Sequence, residues 1–179
     1  MSHILDLENS MFSVRGELGG SQGAEFVQLK QFIGLMVANE EFLLPIEVTN
    51  EIIMMHQLTH VPRAPRFIDG VINLRGTILP AINMRKMLGV PVEKFTGHCR
   101  IIIARCEKVT VGLIVDGITY VVALSNDQLQ NQSLHTKGSG SELISVISKR
   151  GNQINGVLDI GKILAETGIN YASNDEEAA

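Results

Sequence analysis

A chain of 179 residues with 45% hydrophobic and 19% charged residues is long enough to bury a core and too apolar to be disordered. The net charge of −4 comes without a basic cluster, which argues against nucleic-acid binding through a phosphate footprint. Twenty Ile and fifteen Val against six Phe, two Tyr and no Trp point to sheet, and seventeen Gly scattered among short apolar runs point to many turns.

The residues before the first strand, 1–24, read as a flexible tail. Ile4, Leu5, Leu7, Met11 and Phe12 could form a short amphipathic helix ahead of the glycine-rich linker Arg15–Gly23. Met1–Glu8 is acidic and lacks a basic region followed by an apolar one, so it does not read as a secretory signal. No apolar run reaches the roughly 18 residues that span a membrane. If Cys99 and Cys106 share a strand they are too far apart along it to bond, and two lone thiols fit a cytoplasmic chain.

Phe26–Val37 predicts a long strand, turning at Asn39-Glu40-Glu41 into Phe42-Leu43-Leu44, which Pro45 limits to an edge or an end. Ile46–Met55 predicts a helical turn leading into a strand at Ile52–Met55. Pro62 and Pro65 make Thr59–Pro65 an extended loop, with one helical turn before Gly70. Val71–Leu74 and Thr77–Ile82 then read as two strands meeting at Arg75-Gly76. Arg75 is the odd residue in this apolar hairpin. A guanidinium stays charged, so it either caps carbonyls inside the protein or faces a partner outside it.

Asn83 caps a short helix through Leu88, stopped by Gly89 and Pro91. Cys99–Arg105, Thr110–Val115 and Ile118–Leu124 are strands, with Asp116-Gly117 a tight turn or bulge between the last two. Ser125–Leu129 predicts a capped turn and Asn131–Ser141 a polar loop. Leu143–Ser148 and Ile154–Leu158 form a last hairpin, and Asp159 caps a helix through Glu166 that Gly168 ends. The folded unit spans 25–168, and 169–179 is an acidic tail. About ten short strands without a fixed repeat indicate a pair of small barrels or one larger barrel.

Chemistry is sparse in this pattern. His56 and His60 have the i, i+4 spacing of metal ligands on a helix, but no Glu stands between them where a zinc protease needs it, and nearby prolines disfavour a helix. His98-Cys99 has no zinc-spaced partner pair. Neither a Gly-x-Ser-x-Gly elbow nor a phosphate loop occurs. Asp116 is the most suggestive carboxylate, yet it has no partner base. The expectation is a non-enzymatic protein with no catalytic residue, metal or cofactor.

Gly70-Val71-Ile72-Asn73-Leu74-Arg75-Gly76-Thr77-Ile78-Leu79-Pro80 resembles the signature of the CheW-like domain of bacterial chemotaxis. Val111–Ile118 with Val121, Leu124 and Leu129 is similar to the family's second motif, and Ile46 through Glu51-Ile52 to a segment ending in Glu-Ile. The resemblance covers roughly 26–167. It implies an all-β fold of two intertwined, five-stranded SH3-like barrels. It implies an adaptor coupling the cytoplasmic tip of a chemoreceptor (a methyl-accepting chemotaxis protein) to the regulatory domain of a CheA-type histidine kinase, and peripheral to the membrane through receptors only. By the same resemblance Thr49, Glu51, Gly70 and Arg75 would face the receptor, and Ile46 and Ile78 the kinase. Thr49 stands where an aliphatic is usual, Pro45 where an acid is common, Asp69 where a base can occur and Ser145 where a glycine is common. The departures at Thr49 and Asp69 motivate an alternative: a CheW-like module in a surface-motility or other kinase array, or one that assembles into rings.

Overall fold

Runs of β-branched residues separated by tight turns produce eleven strands among the described residues. The structure is a computed structural model, described over residues 28–131 and 140–169. It runs β1 (Leu29–Val37), β2 (Glu40–Pro45), a 3₁₀ turn (Ile46–Val48), β3 (Thr49–Met54), β4 (Ile68–Leu74), β5 (Thr77–Asn83) and helix α1 (Met84–Met87). There follow β6 (Arg100–Cys106), β7 (Val109–Val115), β8 (Gly117–Ser125), a 3₁₀ turn (Asn126–Gln128), β9 (Leu129–Asn131), a 3₁₀ turn (Ser141–Leu143), β10 (Ile144–Arg150), β11 (Gln153–Leu158) and α2 (Ile160–Thr167). The expectations for the tail 1–24, for the acidic tail past residue 169 and for most of the loop 131–141 lie outside the described residues.

The strands form two sheets, ordered β8-β1-β2-β11-β10-β9 and β3-β6-β7-β5-β4. Each curls because its two edge strands are neighbours in sequence. In the first sheet, β8 reaches β9 through the single 3₁₀ turn Asn126–Gln128, where Gln128 Oε1 accepts the Ser125 N–H at 3.1 Å. In the second, the connection from β3 to β4 carries Thr59, which exchanges two backbone hydrogen bonds with Val71 of β4, at 2.9 and 2.8 Å. Among the described residues neither sheet closes by a continuous ladder, and chain connections link the two edge strands of each. The chain opens in the first sheet, passes to the second for β3–β7 and returns for β8–β11, so the barrels are intertwined. This is the mainly-β, SH3-like arrangement expected, with β9 as a sixth strand where only a capped turn was predicted.

The apolar runs are continuous because strands bury both faces. On β6, Ile102 and Ala104 enter a core shared by the two sheets, whereas Ile101 and Ile103 enter the core of the second barrel. On β2, Phe42 and Leu44 enter the shared core, whereas Leu43 joins Phe32, Leu124 and Val157 in the core of the first. Strand alternation thus divides each run between two interiors. Helix α2 adds Ile160, Ile163 and Leu164 to the shared core. Its ends are as expected: Asp159 Oδ1 accepts from Gly161 N at 2.9 Å and Lys162 N at 3.2 Å, and Gly168 closes it with φ 66°.

One expectation is corrected. Asp116-Gly117 is not the turn of a hairpin, because β7 and β8 belong to different sheets. An Asp-Gly pair between two apolar runs carries a strong local turn signal, but here it marks the crossing from one barrel to the other.

Candidate protein-interaction site

Leu74 faces Thr77 across the β4–β5 ladder, which leaves Arg75-Gly76 as a two-residue turn. A turn that follows the twist of the strands needs positive φ at both central positions. Arg75 (φ 50°) and Gly76 (φ 90°) provide it. Glycine does so freely, but a left-handed arginine costs roughly 1–2 kcal/mol. Asn73 supports the turn, its Oδ1 accepting the Gly76 N–H at 2.8 Å.

Held this way, the guanidinium of Arg75 lies over β3. Its Nη1 and Nη2 donate to Oε1 and Oε2 of Glu51 at 3.2 and 2.9 Å, two bonds that fix the fork against the carboxylate. The Arg75 side chain is still 79% exposed and that of Glu51 29%. Because β3 and β4 are the two edges of the second sheet, the pair crosses the seam of that barrel.

The other expected site residues are placed differently. Ile78, opposite Asn73 in the same hairpin, is 68% exposed. Thr49 is buried, with its hydroxyl donating to the Pro45 carbonyl at 3.3 Å. Gly70 is buried too, and a Cβ there would stand 2.5 Å from the Thr59 carbonyl oxygen, so only glycine permits the Thr59–Val71 bridge. Ile46 is half-buried in the 3₁₀ turn between the barrels. The structure thus brings Glu51 and Arg75 together, exposes Ile78 in the same hairpin, buries Thr49 and Gly70 away from the pair, and leaves Ile46 in the 3₁₀ turn. Sequence reasoning missed Ile52 and Met54, exposed on the face of β3 opposite Glu51. Their i, i+2 spacing on a strand was the available signal.

The crossing at Asp116 stiffens the junction. Asp116 Oδ2 accepts the Ala38 N–H from the β1–β2 turn at 2.6 Å, and Oδ1 accepts from Arg85 Nε of α1 at 2.8 Å. Arg85 also donates to the Pro91 carbonyl at 2.7 Å and pairs with Glu93. Its hydrogen bond to Asp116 is the main cause holding its pKa above the ordinary arginine value, against the opposing effect of burial. Asp69 pairs with Lys86 and accepts from Asn83 Nδ2 at 2.6 Å, while Asn83 Oδ1 caps α1 through the N–H groups of Arg85 and Lys86.

Among the described residues no three His, Cys, Asp or Glu side chains are grouped to hold a metal, and His56 and His60 lie on the extended β3–β4 connection. None of the described helices is long and apolar enough to cross a membrane. What the molecule offers is a rigid surface: a pinned cation, its carboxylate partner and exposed aliphatic side chains.

Comparison with known proteins gives this surface a context. The chemotaxis protein CheW of Thermotoga maritima is 34% identical over 140 residues, covering 77% of this chain and 91% of its own. That of Bacillus subtilis is 28% identical over 153 residues, covering 86% and 98%. The crystal structure of the scaffolding protein TtCheW from Thermoanaerobacter tengcongensis superposes with a TM-score of 0.69 at 26% identity, covering 74% of this chain and 90% of that one. The model of the CheW-like domain matches residues 31–168, both barrels but for the first two residues of β1, and the helix that adds to their shared core. On fold and sequence together, the chain belongs to the family of CheW-like domains.

Proposed function

We propose that this protein is a non-enzymatic scaffold of bacterial chemotaxis, working in the cytoplasm to couple the tip of a chemoreceptor to a CheA-type histidine kinase. The family is one of scaffolds and adaptors rather than enzymes, and the relatives matched over most of the chain bear chemotaxis names. The observation that carries the reading is the Glu51–Arg75 pair, fixed by a left-handed turn and yet open to solvent. A cation whose fork is oriented before binding loses little freedom on meeting a partner. In this reading Glu51 and Arg75 contact the receptor, the buried Thr49 and Gly70 shape the backbone of β3 and β4, and Ile46 and Ile78 meet the kinase.

Pull-down of receptor tip and kinase with Arg75→Ala tests the assignment. Ternary complex formation falls, while urea unfolding loses no more than the roughly 1 kcal/mol expected of an exposed ion pair. Unchanged capture of both partners removes Arg75 from the contact and leaves it as a tie across the barrel seam.

A further inference from the structure

A hairpin turn that needs positive φ at both central positions is ordinarily filled by Asn-Gly, Asp-Gly or Gly-Gly. Between β4 and β5 an arginine takes the first of them, at φ 50°. Its Cβ makes that conformation unfavourable, so something must hold the chain in it. Packing does not. A Cβ on Gly76 would have nothing within 4 Å, and the Arg75 side chain is 79% exposed.

The residue placed to hold the turn is Asn73. Ile72 enters the core of the second barrel, so strand alternation turns the Asn73 side chain to the outer face, where it is exposed. From there its Oδ1 accepts the Gly76 N–H at 2.8 Å, reaching across the turn. The last strand pair is Leu74 with Thr77, so Gly76 has no strand residue opposite it. Other turns of this chain use the same device. Glu107 is left-handed between β6 and β7 (φ 53°), and Arg105, two residues before it, donates from Nε to the Glu107 carbonyl at 2.9 Å. Ala38 (φ 55°) gives its N–H to Asp116. Three of the four left-handed residues other than glycine, among the described residues, thus stand in turns tied by a side chain bonded to the backbone.

We propose that Asn73 is a positioning residue: by fixing the turn it aims the Arg75 fork at Glu51 and presents the pair to a partner. Its amide is neutral, so it holds the backbone without competing with Glu51 for the guanidinium. The effect on partner binding rests on the adaptor reading, whereas the positioning does not.

NMR of the free, full chain reads the positioning. Asn73→Ala is expected to speed Gly76 amide exchange about fivefold, the scale of one hydrogen bond. It should also free the Arg75 guanidinium to rotate about Nε–Cζ. Asn73→Asp keeps an acceptor oxygen and restores the Gly76 protection. Unchanged Gly76 exchange, or a guanidinium that stays held in Asn73→Ala, overturns the proposal. Affinity for a soluble fragment of a chemoreceptor's cytoplasmic tip is then compared in two backgrounds. Asn73→Ala should weaken it about fivefold in the native chain and leave it unchanged beside Arg75→Ala. An equal loss in both backgrounds makes Asn73 itself the contact and overturns the positioning role. A freed guanidinium with no loss of affinity in either background supports the positioning and overturns the Arg75 contact of the adaptor reading.

Discussion

Arg75 and Gly70 stand five residues apart in one hairpin and act at different levels. Arg75 reaches out to Glu51, 24 residues earlier, and remains exposed. Gly70 works by having no side chain, since backbone from Thr59 occupies the space a Cβ would take. Backbone held by hydrogen bonds on both sides cannot yield as the end of a flexible side chain can. Gly70→Ala should therefore sever the Thr59–Val71 bridge as well as overpack the seam, at a cost of about 2–4 kcal/mol in urea unfolding. A loss below about 0.5 kcal/mol, the scale of an ordinary surface change, would mean that the connection moves aside freely. Neither relation was legible from local sequence. The Asn-Leu-Arg-Gly motif marked both residues by resemblance, but the pairing of Arg75 with Glu51 depends on how the barrel seam closes.

At the scale of elements, features set by neighbours in sequence were readable and those set by distant strands were not. The caps at Asn83 and Asp159 were expected from short-range chemistry and are present. The sheet membership of β7 and β8 was not readable, because Asp116-Gly117 has the same local preferences at a crossing as at a turn. A second long-range device joins β2, β8 and β11. Glu41 Oε2 accepts the Tyr120 hydroxyl at 2.8 Å and Asn155 Nδ2 at 3.1 Å. The ring of Tyr120 lies close to Gly34 on the intervening strand β1, where a Cβ would come within 3.3 Å of it and within 2.4 Å of Thr119 Oγ1. Burial, and then the hydrogen bond to Glu41, push the Tyr120 pKa above the ordinary value of 10.0. The folded chain therefore holds this proton more tightly than the unfolded chain does. The stabilisation is complete below the ordinary tyrosine range and is lost as pH rises past it. Urea midpoints should fall more steeply above about pH 10 in the native protein than in Tyr120→Phe. Parallel slopes would show that the hydroxyl does not couple to folding.

For the whole molecule, the question is whether two barrels behave as one unit. Uninterrupted runs such as Ile101-Ile102-Ile103 already implied burial on both faces, but not that the two faces serve different interiors. That division arises from parallel pairings between distant segments, Phe42 with Gly156 and Ala81 with Gly112, which no local pattern announces. Its consequence is energetic. The first barrel contributes Leu35, Val37, Phe42, Leu44 and Leu158 to the shared core, and the second contributes Ile82, Ile102, Ala104, Val111, Leu113 and Val115. Unfolding the first barrel alone would bare the second set to water, at roughly 1.5–3 kcal/mol for each large side chain. It would also leave Arg85, whose side chain is 13% exposed, with an Asp116 no longer anchored to the β1–β2 turn. The expected outcome is that no partly folded state with one intact barrel lies below the global unfolding free energy. Leu43→Ala, confined to the core of the first barrel, should cost about 2–5 kcal/mol. Native-state hydrogen exchange should show that loss equally at β11 in the first barrel and at β6 in the second. If β10 and β11 lose protection while β6 and β7 keep theirs, the barrels are separate folding units and the shared core is only a contact between them.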